Sequence, residues 1–273
     1  RDASQLYHAL LEEGKEAQDV IHLSRNMCSA HLKERIAEIR QRLKEDIPTI
    51  VISTQLIEAG VDIDLPIVYR AMSGLDSIVQ AGGRCNREGK RPVPGKVYVF
   101  SLSDGGNAAK AIAQGQHATR FLLDNTEAET YTSIPLELIE AYYRRYYSSV
   151  GSFDTKHVIE DLYDEDEAKR WRFDFEQASD AFRLIDNVDH DLFVPYARGK
   201  DLIEKLQRQT LHLDRRTMRE LQQYHVSISK WNYEELKEAR LLSEVVVNRD
   251  TKQTILVLAP QGYDETLGVC TTN

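Results

Sequence analysis

The sequence is poor in cysteine and contains no long apolar run. Its 273 residues include three cysteines, Cys28, Cys85 and Cys270, without a CxxC pair. This pattern argues against a disulfide framework or a zinc ribbon and is typical of a reducing cytosol. No stretch approaches the ~18 consecutive apolar residues of a membrane-spanning helix, and no signal peptide opens the chain. We therefore expect a cytoplasmic protein with no membrane partner.

Negative charge is concentrated in the later part of the chain. The net charge is −9, whereas residues 1–103 contain equal numbers of acidic and basic residues. Six acids lie within residues 160–167. We interpret this cluster as a solvated loop or helix face, because blocks of like charge usually stay in water. Calcium binding is the alternative, but the EF-hand spacing with its central glycine is absent.

Strands alternate with helices in the first hundred residues. Apolar spacing predicts helices at 2–13, near 32–43 and at 76–85, the last with Asp76 as a cap. Runs rich in β-branched residues predict strands at 20–23, 49–52, 67–69 and 97–100. Such alternation predicts an α/β fold, a parallel sheet with helices on both faces.

The remainder of the chain predicts a connecting helix and a smaller α+β domain. The glycines at 105 and 106 interrupt the first pattern. The expected helices are 107–123, 134–147, 201–208, 215–223 and 233–241. The expected strands are 182–186, 192–196, 244–248 and 254–258, and a hairpin loop is expected at 248–252.

One segment, GLDSIVQAGGRCNREG, carries an amide and two guanidinium groups. On a helix, Gln80, Arg84 and Arg87 would fall on one side. Gly82 and Gly83 each lower helix propensity by about 1 kcal/mol, which is tolerable where something must approach the backbone closely. Two arginines projected together suit a polyphosphate, because a guanidinium stays charged and binds oxygens as a fork.

A second segment, STQLIEAGVDID, follows the predicted strand at 49–52. Hydroxyl groups at the carboxyl end of a parallel strand, here Ser53 and Thr54, are well placed for phosphate oxygens. Asp62 follows a glycine and can accept hydrogen bonds from ribose hydroxyls. Taken alone, each feature has an ordinary explanation as a cap or a surface ion pair. Asp62 and Asp64 are also spaced as a DxD metal motif, but no further ligand cluster accompanies them, so we assign no metal site.

Together the two segments resemble motifs V and VI of the superfamily-two DExH helicases. GLDSIVQAGGRCNREG in particular resembles the CRISPR-associated helicase-nuclease family of type I systems, which usually has alanine where Gly82 stands. Residues 182–186, 194–196, 221–224 and 262–264 with Gly268 resemble the accessory domain of that family, with features of subtype C. The resemblance implies a second RecA-like lobe at 1–103, a connecting helix at 104–128 and the accessory domain at 129–273.

The resemblance implies roles for the residues that match the motifs. Arg87 resembles the arginine finger that meets the γ-phosphate of ATP, Arg84 its companion on the triphosphate, and Gln80 the amide that helps place the attacking water. Asp62, with Gly60 beside it, resembles the group that senses the ribose. The remaining matches are one nucleotide-binding position, Gly83, and three contacts to single-stranded DNA, Ser53, Thr54 and Gln55.

The sequence contains neither a P-loop (GxxxxGKS or GxxxxGKT) nor a DExH strand. The family has both on its first lobe, and its metal-dependent HD nuclease lies further upstream. The resemblance therefore implies a C-terminal portion that shares ATP and Mg²⁺ with a first lobe, while the divalent transition metal belongs to the nuclease domain. The implied partners are that upstream lobe and nuclease domain, single-stranded DNA and an RNA-guided surveillance complex. An Arg at position 1 and helical spacing from Ala3 onward agree with a start in mid-fold.

Several alternatives stay open on the sequence alone. The chain is either part of this helicase-nuclease, a lobe of another DExH helicase, or a non-catalytic fragment that binds the surveillance complex or regulates the enzyme. Residues 142–147, YYRRYY, suit base stacking or a packing helix, and we favour packing because Leu138 and Ile139 share that face. His190 and Asp191 form an HD dipeptide without companion ligands, which favours a loop or strand over a metal site.

Overall fold

The computed structural model describes most of the chain, namely residues 2–58, 61–89, 91–102, 110–126, 133–165, 171–182, 190–211, 213–248 and 253–271. The helices in this part are α1 (Asp2–Glu12), α2 (Ser29–Lys44), α3 (Leu75–Gly82), α4 (Lys110–Asp124), α5 (Leu136–Ser148), α6 (Val158–Leu162), α7 (Phe175–Ala181), α8 (Arg198–Gln207), α9 (Arg215–Leu221) and α10 (Lys230–Glu238). The strands are β1 (Val20–Leu23), β2 (Ile50–Ser53), β3 (Ile67–Ala71), β4 (Lys96–Phe100), β5 (Tyr163–Glu165), β6 (Trp171–Phe173), β7 (His190–Phe193), β8 (His225–Ile228), β9 (Leu242–Asn248), β10 (Gln253–Leu258), β11 (Tyr263–Asp264) and β12 (Gly268–Val269).

The chain divides into two compact units. The first comprises Arg1–Leu65, Asn86–Lys90 and Asn187–Asn273, and the second comprises Pro66–Cys85 and Arg91–Asp186. The predicted domain limits at 103 and 128 stay a prediction, and the compact units group the residues differently.

The amino-terminal part of the first unit contains a parallel strand pair. β1 and β2 run in register from Val20 opposite Ile50 to Leu23 opposite Ser53. All four residues of β1 are buried, as expected for a strand of a parallel sheet. Leu23 of β1 and Ile39 of α2 are fully buried in the same core cluster. Burying a side chain of this kind contributes about 1.5–3 kcal/mol. The predicted strand at 20–23 is confirmed, and the one at 49–52 lies one residue later.

A four-stranded mixed sheet forms the other part of the first unit. Its strand order is β8-β7-β10-β9, in which β7 and β10 are parallel and the outer pairs are antiparallel. Its core includes Leu192, Val257 and Leu258 of the sheet with Leu206 of α8 and Leu236 of α10. The predicted helices and strands of this region are present, except that β7 starts at His190 and ends at Phe193, so the expectation of a strand through residue 196 was wrong.

The second unit combines the parallel pair β3 and β4 with three packed helices. β3 and β4 pair in register from Ile67 opposite Lys96. Leu75 of α3, Ala118 of α4 and Tyr142 of α5 form the buried centre of the helix cluster. Leu138 and Tyr146 pack against it. The predicted packing face of α5 is therefore confirmed.

The helix predicted at 76–85 differs from the structure at both ends. α3 ends at Gly82, because Gly83 is its carboxyl-terminal cap and the N–H groups of Arg84 and Cys85 then close tight turns onto Ala81 and Gly82. The two adjacent glycines, the poorest helix formers after proline, explain the early stop. The expectation that Gln80, Arg84 and Arg87 share one side of a single helix was therefore wrong.

The expected cap of α3 was also wrong. The residue preceding the helix is Gly74, and its first turn has no side-chain cap. Asp76 instead accepts a hydrogen bond from the Tyr142 hydroxyl at 2.9 Å. Burial, followed by this bond to Asp76, raises the pKa of Tyr142. The acid in the first turn still favours the positive end of the helix dipole.

Some predictions fall partly outside the described residues. The backbone of Glu160 and Asp161 lies in α6 and that of Asp164 and Glu165 in β5, whereas Asp166 and Glu167 lie outside. The described part of the acidic cluster is thus a helix followed by a strand, whereas the prediction was a solvated loop or helix face. Residues 183–186, most of a predicted strand, and residues 249–252, most of the predicted hairpin loop, also lie outside. β9 and β10 pair antiparallel, as that hairpin requires. Within the described residues, no helix combines the length and apolarity needed to cross a membrane.

Candidate functional site

The three predicted DNA contacts, Ser53, Thr54 and Gln55, lie next to one another at the end of β2. The Thr54 N–H donates to the Leu23 carbonyl at 3.2 Å, which continues the strand pairing. The Ser53 hydroxyl donates to the Thr54 carbonyl at 2.9 Å. The Thr54 Oγ1 atom is buried without a hydrogen-bond partner among the described residues, so contact with a ligand requires rotation of this side chain. Gln55 is exposed and begins a short 3-10 helix that ends at Ile57.

The acidic end of the first segment and Arg87 meet in the first unit. The Arg87 guanidinium forms an ion pair with the Asp62 carboxylate. The Arg87 backbone N–H donates to Asp64 Oδ1 at 2.8 Å, and Arg40 Nε donates to the Asp62 carbonyl at 2.9 Å. Both carboxylates of the DxD spacing are thus engaged by Arg87. Val61 and Ile63, which alternate with the acids, are buried in the core and fix the direction of this segment.

A tight turn directs Arg87 toward the acids. The Asn86 N–H donates to the Leu65 carbonyl at 3.0 Å, and the Gly89 N–H donates to the Asn86 carbonyl at 3.0 Å. Asn86 and Gly89 adopt positive φ angles of 50° and 61°, a conformation that asparagine and glycine tolerate best. The NREG sequence therefore codes for a turn that holds the Arg87 backbone in place.

Three other predicted nucleotide residues, Gln80, Gly83 and Arg84, lie in the second unit. Gln80 is exposed on the last turn of α3. The Gly83 N–H donates to the Val79 carbonyl at 2.9 Å, and a Cβ atom on Gly83 would lie 3.3 Å from the Gln80 carbonyl oxygen. Arg84 is half-buried in the turn that follows. The structure thus brings Asp62 and Arg87 together in the first unit, whereas Gln80, Gly83 and Arg84 belong to the second unit. Gly60 lies outside the described residues.

The ion pair between Arg87 and Asp62 is weak enough for Arg87 to exchange its partner. Its side chain is 41% exposed and that of Asp62 is 66% exposed. Ion pairs at such exposure contribute about 0–1 kcal/mol. A polyanion can therefore replace Asp62 at this guanidinium at little energetic expense. Across the part of the chain that the structure describes, no group of three or more His, Cys, Asp or Glu residues is arranged to hold a metal ion.

A buried polar network that the sequence reasoning missed joins α2 to the carboxyl-terminal strands. His31 is fully buried, and its Nδ1 shares a 2.9 Å hydrogen bond with the Tyr263 hydroxyl. The ring of His31 stacks on Tyr196 with centroids 4.2 Å apart, and the Tyr196 hydroxyl donates to Glu34 at 2.5 Å. Burial, with the Arg35 charge as a second cause, lowers the pKa of His31 to about 4. No local spacing signals these contacts, because the partners are more than 150 residues apart.

His190 and Asp191 have structural partners in the four-stranded sheet. His190 stacks on Tyr233 with centroids 4.0 Å apart. Asp191 pairs with His225 at 2.8 Å and accepts a hydrogen bond from Ser227 at 3.3 Å. The dipeptide starts a strand, in agreement with its interpretation as a loop or strand pair.

Comparison with known proteins gives matches to one family. The family described as "CRISPR-associated nuclease/helicase Cas3, C-terminal" matches residues 1–90. The Cas3 of Haloferax volcanii is 53% identical over 62 residues, which are 22% of this chain and 6% of that protein. The Cas3 of Methanothermobacter thermautotrophicus is 25% identical over 193 residues, which are 69% of this chain and 23% of that protein. The chain thus spans less than a quarter of the length of either curated relative.

Solved structures share the fold. The crystal structure of T. fusca Cas3 with ATP matches 94% of this chain and 34% of that chain, with a TM-score of 0.58 and 16% identity. A chain of a CRISPR RNA-guided surveillance complex in a pre-nicking state matches 94% of this chain and 36% of its own length, with a TM-score of 0.55 and 12% identity. Family match, relatives and fold agree with the resemblance in the sequence to the C-terminal part of the Cas3 helicase-nucleases.

Proposed function

We propose that this chain supplies the second RecA-like lobe and the accessory region of an ATP-driven single-stranded DNA translocase that unwinds and degrades DNA in type I CRISPR interference. In this proposal Arg87 is the arginine finger. The observation that carries it is the pairing of Arg87 with Asp62 across 25 residues of sequence, on a turn that fixes the Arg87 backbone. A guanidinium held in this way by a weak, exchangeable partner is prepared for a phosphate.

In this proposal the nucleotide would be held mainly by another part of the enzyme. ATP with Mg²⁺ would supply the phosphoryl group and the charge that Arg87 and Arg84 neutralise. Gln80 would orient the attacking water, while Asp62 and its neighbour Gly60 would sense the ribose. Gly83 would allow close approach of the nucleotide to the backbone, since glycine has no side chain.

The remaining parts of the proposal concern partners. Ser53, Thr54 and Gln55 would contact single-stranded DNA. The surveillance complex would recruit the enzyme in the cytoplasm, where the upstream lobe would supply the P-loop and DExH motifs and the HD domain its own metal. A curated relative bears the name nuclease/helicase, and one fold neighbour comes from a surveillance complex; both support this assembly.

The test is steady-state ATP turnover of the full-length gene product with single-stranded DNA present. Arg87→Ala should lower kcat by about 10³-fold, because an arginine finger contributes ~10³–10⁵ by stabilising charge that develops during phosphoryl transfer. Arg87→Lys should remain strongly impaired, since an ammonium cannot form the same fork. The matched control is Arg208→Ala, an exposed arginine that also pairs with a single acid, Glu204.

The control should keep kcat within twofold. A fall of less than about tenfold for Arg87→Ala contradicts the finger assignment. A full-length product without a P-loop would contradict the proposal as a whole.

A further inference from the structure

The solvent side of α5 carries a row of aromatic side chains that the packing of the helix does not use. Tyr143 and Tyr147 are 38% and 50% exposed, and their rings stack with centroids 5.7 Å apart and planes 21° apart. Phe153, which is 75% exposed, extends the row, with its ring 5.8 Å from that of Tyr147. Tyr142, by contrast, is buried in the helix cluster. The YYRRYY segment therefore has one packing face and one separate aromatic face.

One arginine, Arg144, lies beside this aromatic face. Residues 141–148, the last two turns of α5, contain Arg144 and Arg145 and no acid, and the nearest acid on the helix is Glu140. Arg145 is engaged elsewhere, because its guanidinium carbon lies 4.2 Å from the centroid of the Phe121 ring on α4. Arg144 is exposed and follows Tyr143 directly. Aromatic faces beside guanidinium groups match the two parts of a single-stranded nucleic acid, its bases and its phosphates.

From this face the geometry points to a second contact for single-stranded DNA, in which bases stack on Tyr143, Tyr147 and Phe153 while Arg144 binds the phosphates. This inference rests on the proposed function for the identity of the nucleic acid. It adds a binding surface that is distinct from the residues after β2. Because stacking accepts any base, the surface would hold a moving strand without reading its sequence.

The experiment measures the affinity of the 273-residue chain for a fluorescently labelled 20-nucleotide oligo-dT by anisotropy. The double variant Tyr143→Leu with Tyr147→Leu keeps apolar bulk and removes two rings. Loss of stacking weakens binding by roughly 5- to 100-fold for each base, so we expect at least a tenfold loss. Tyr147→Phe keeps the ring and should bind like the unaltered chain. Trp231→Leu, at another exposed aromatic residue, is the matched control and should have no effect.

Two further arms separate bases from phosphates. An abasic oligonucleotide should bind weakly to the unaltered chain and lose little more with the double variant. Arg144→Gln should weaken binding to both oligonucleotides and reduce the dependence of affinity on salt. If the leucine variants unfold, Phe153→Leu at the most exposed ring replaces them, and unchanged thermal melting is required of every variant used.

The outcome is decided independently of the arginine finger. Binding of oligo-dT that stays within twofold in both Tyr143→Leu with Tyr147→Leu and Phe153→Leu overturns the surface. Failure of the unaltered chain to bind oligo-dT also overturns the surface. A variant that loses only the binding of a protein partner overturns it as well. ATP turnover of Arg87→Ala tests the proposed function separately, so the surface can fail while the finger stands.

Discussion

Replacing Tyr263 by phenylalanine tests whether the buried network holds the first unit together. The Tyr263 hydroxyl bonds His31 Nδ1 at 2.9 Å and accepts a hydrogen bond from the Cys28 N–H at 3.3 Å. Burial raises the pKa of Tyr263 far above its ordinary value, so the hydroxyl is neutral under all ordinary conditions. Tyr263→Phe removes only this oxygen and takes a hydrogen-bond partner from both His31 Nδ1 and the Cys28 N–H.

The size of the effect follows from those two groups. A buried polar group left unsatisfied costs about 1–3 kcal/mol, so we expect Tyr263→Phe to lower the free energy of unfolding by about 2–4 kcal/mol. This is a large share of the ~5–15 kcal/mol that stabilises an ordinary protein. Urea unfolding is followed by hydrogen-exchange mass spectrometry, which reads peptides of α2 and the four-stranded sheet separately from the second unit.

The matched control is Tyr147→Phe, because this tyrosine is 50% exposed. It should change the free energy of unfolding by less than about 0.5 kcal/mol. A loss below about 1 kcal/mol for Tyr263→Phe would mean that the buried network contributes no more than the hydroxyl of an exposed tyrosine, contrary to this expectation.

Two further predictions concern protons and close packing. Burial lowers the pKa of both His22 and His31 from 6.5 to about 4. Between these two values the unfolded chain binds more protons than the folded chain, so the free energy of unfolding falls as the pH is lowered from 6.5 to about 4. At pH 5 this loss is roughly 2 kcal/mol for each histidine. The midpoints of urea unfolding at pH 7 and pH 5 measure this loss of stability. His31→Gln should reduce the difference between the two midpoints, and an equal difference in the variant and the unaltered chain would contradict the prediction. Gly199→Ala would place a Cβ atom 2.6 Å from Tyr224 Cγ and should cost about 1–3 kcal/mol by overpacking. Gly151→Ala, where nothing lies within 4 Å, is the control in thermal melting, and equal melting temperatures would refute the clash.

Local patterns predicted the elements whose partners are close in sequence. The β-branched run at 50–52 and the buried run at 20–23 formed a parallel pair, since such strands bury both faces. The spacing of Leu138, Tyr142 and Tyr146 gave the packing face of α5. The sequence predicts a helix through residue 85, but the adjacent glycines end α3 at Gly82 and tight turns follow between Arg84 and Gly89.

The contacts of the candidate site depend on folding across long separations. The resemblance assigned Asp62 and Arg87 to the same nucleotide, yet their ion pair spans 25 residues and has no periodicity. The hydrogen bond from His31 to Tyr263 spans 232 residues. Sequence patterns report which residues face a core, and only the assembled fold determines which buried polar groups meet.

We propose that Arg87 acts on the transition state of phosphoryl transfer rather than on nucleotide binding. The decisive experiment compares two quantities for Arg87→Ala in the full-length gene product: the equilibrium affinity for a non-hydrolysable ATP analogue and kcat for ATP. We expect an affinity within about fivefold of the unaltered enzyme together with a kcat lower by about 10³-fold. Equal losses in affinity and in kcat/KM with an unchanged kcat would contradict it.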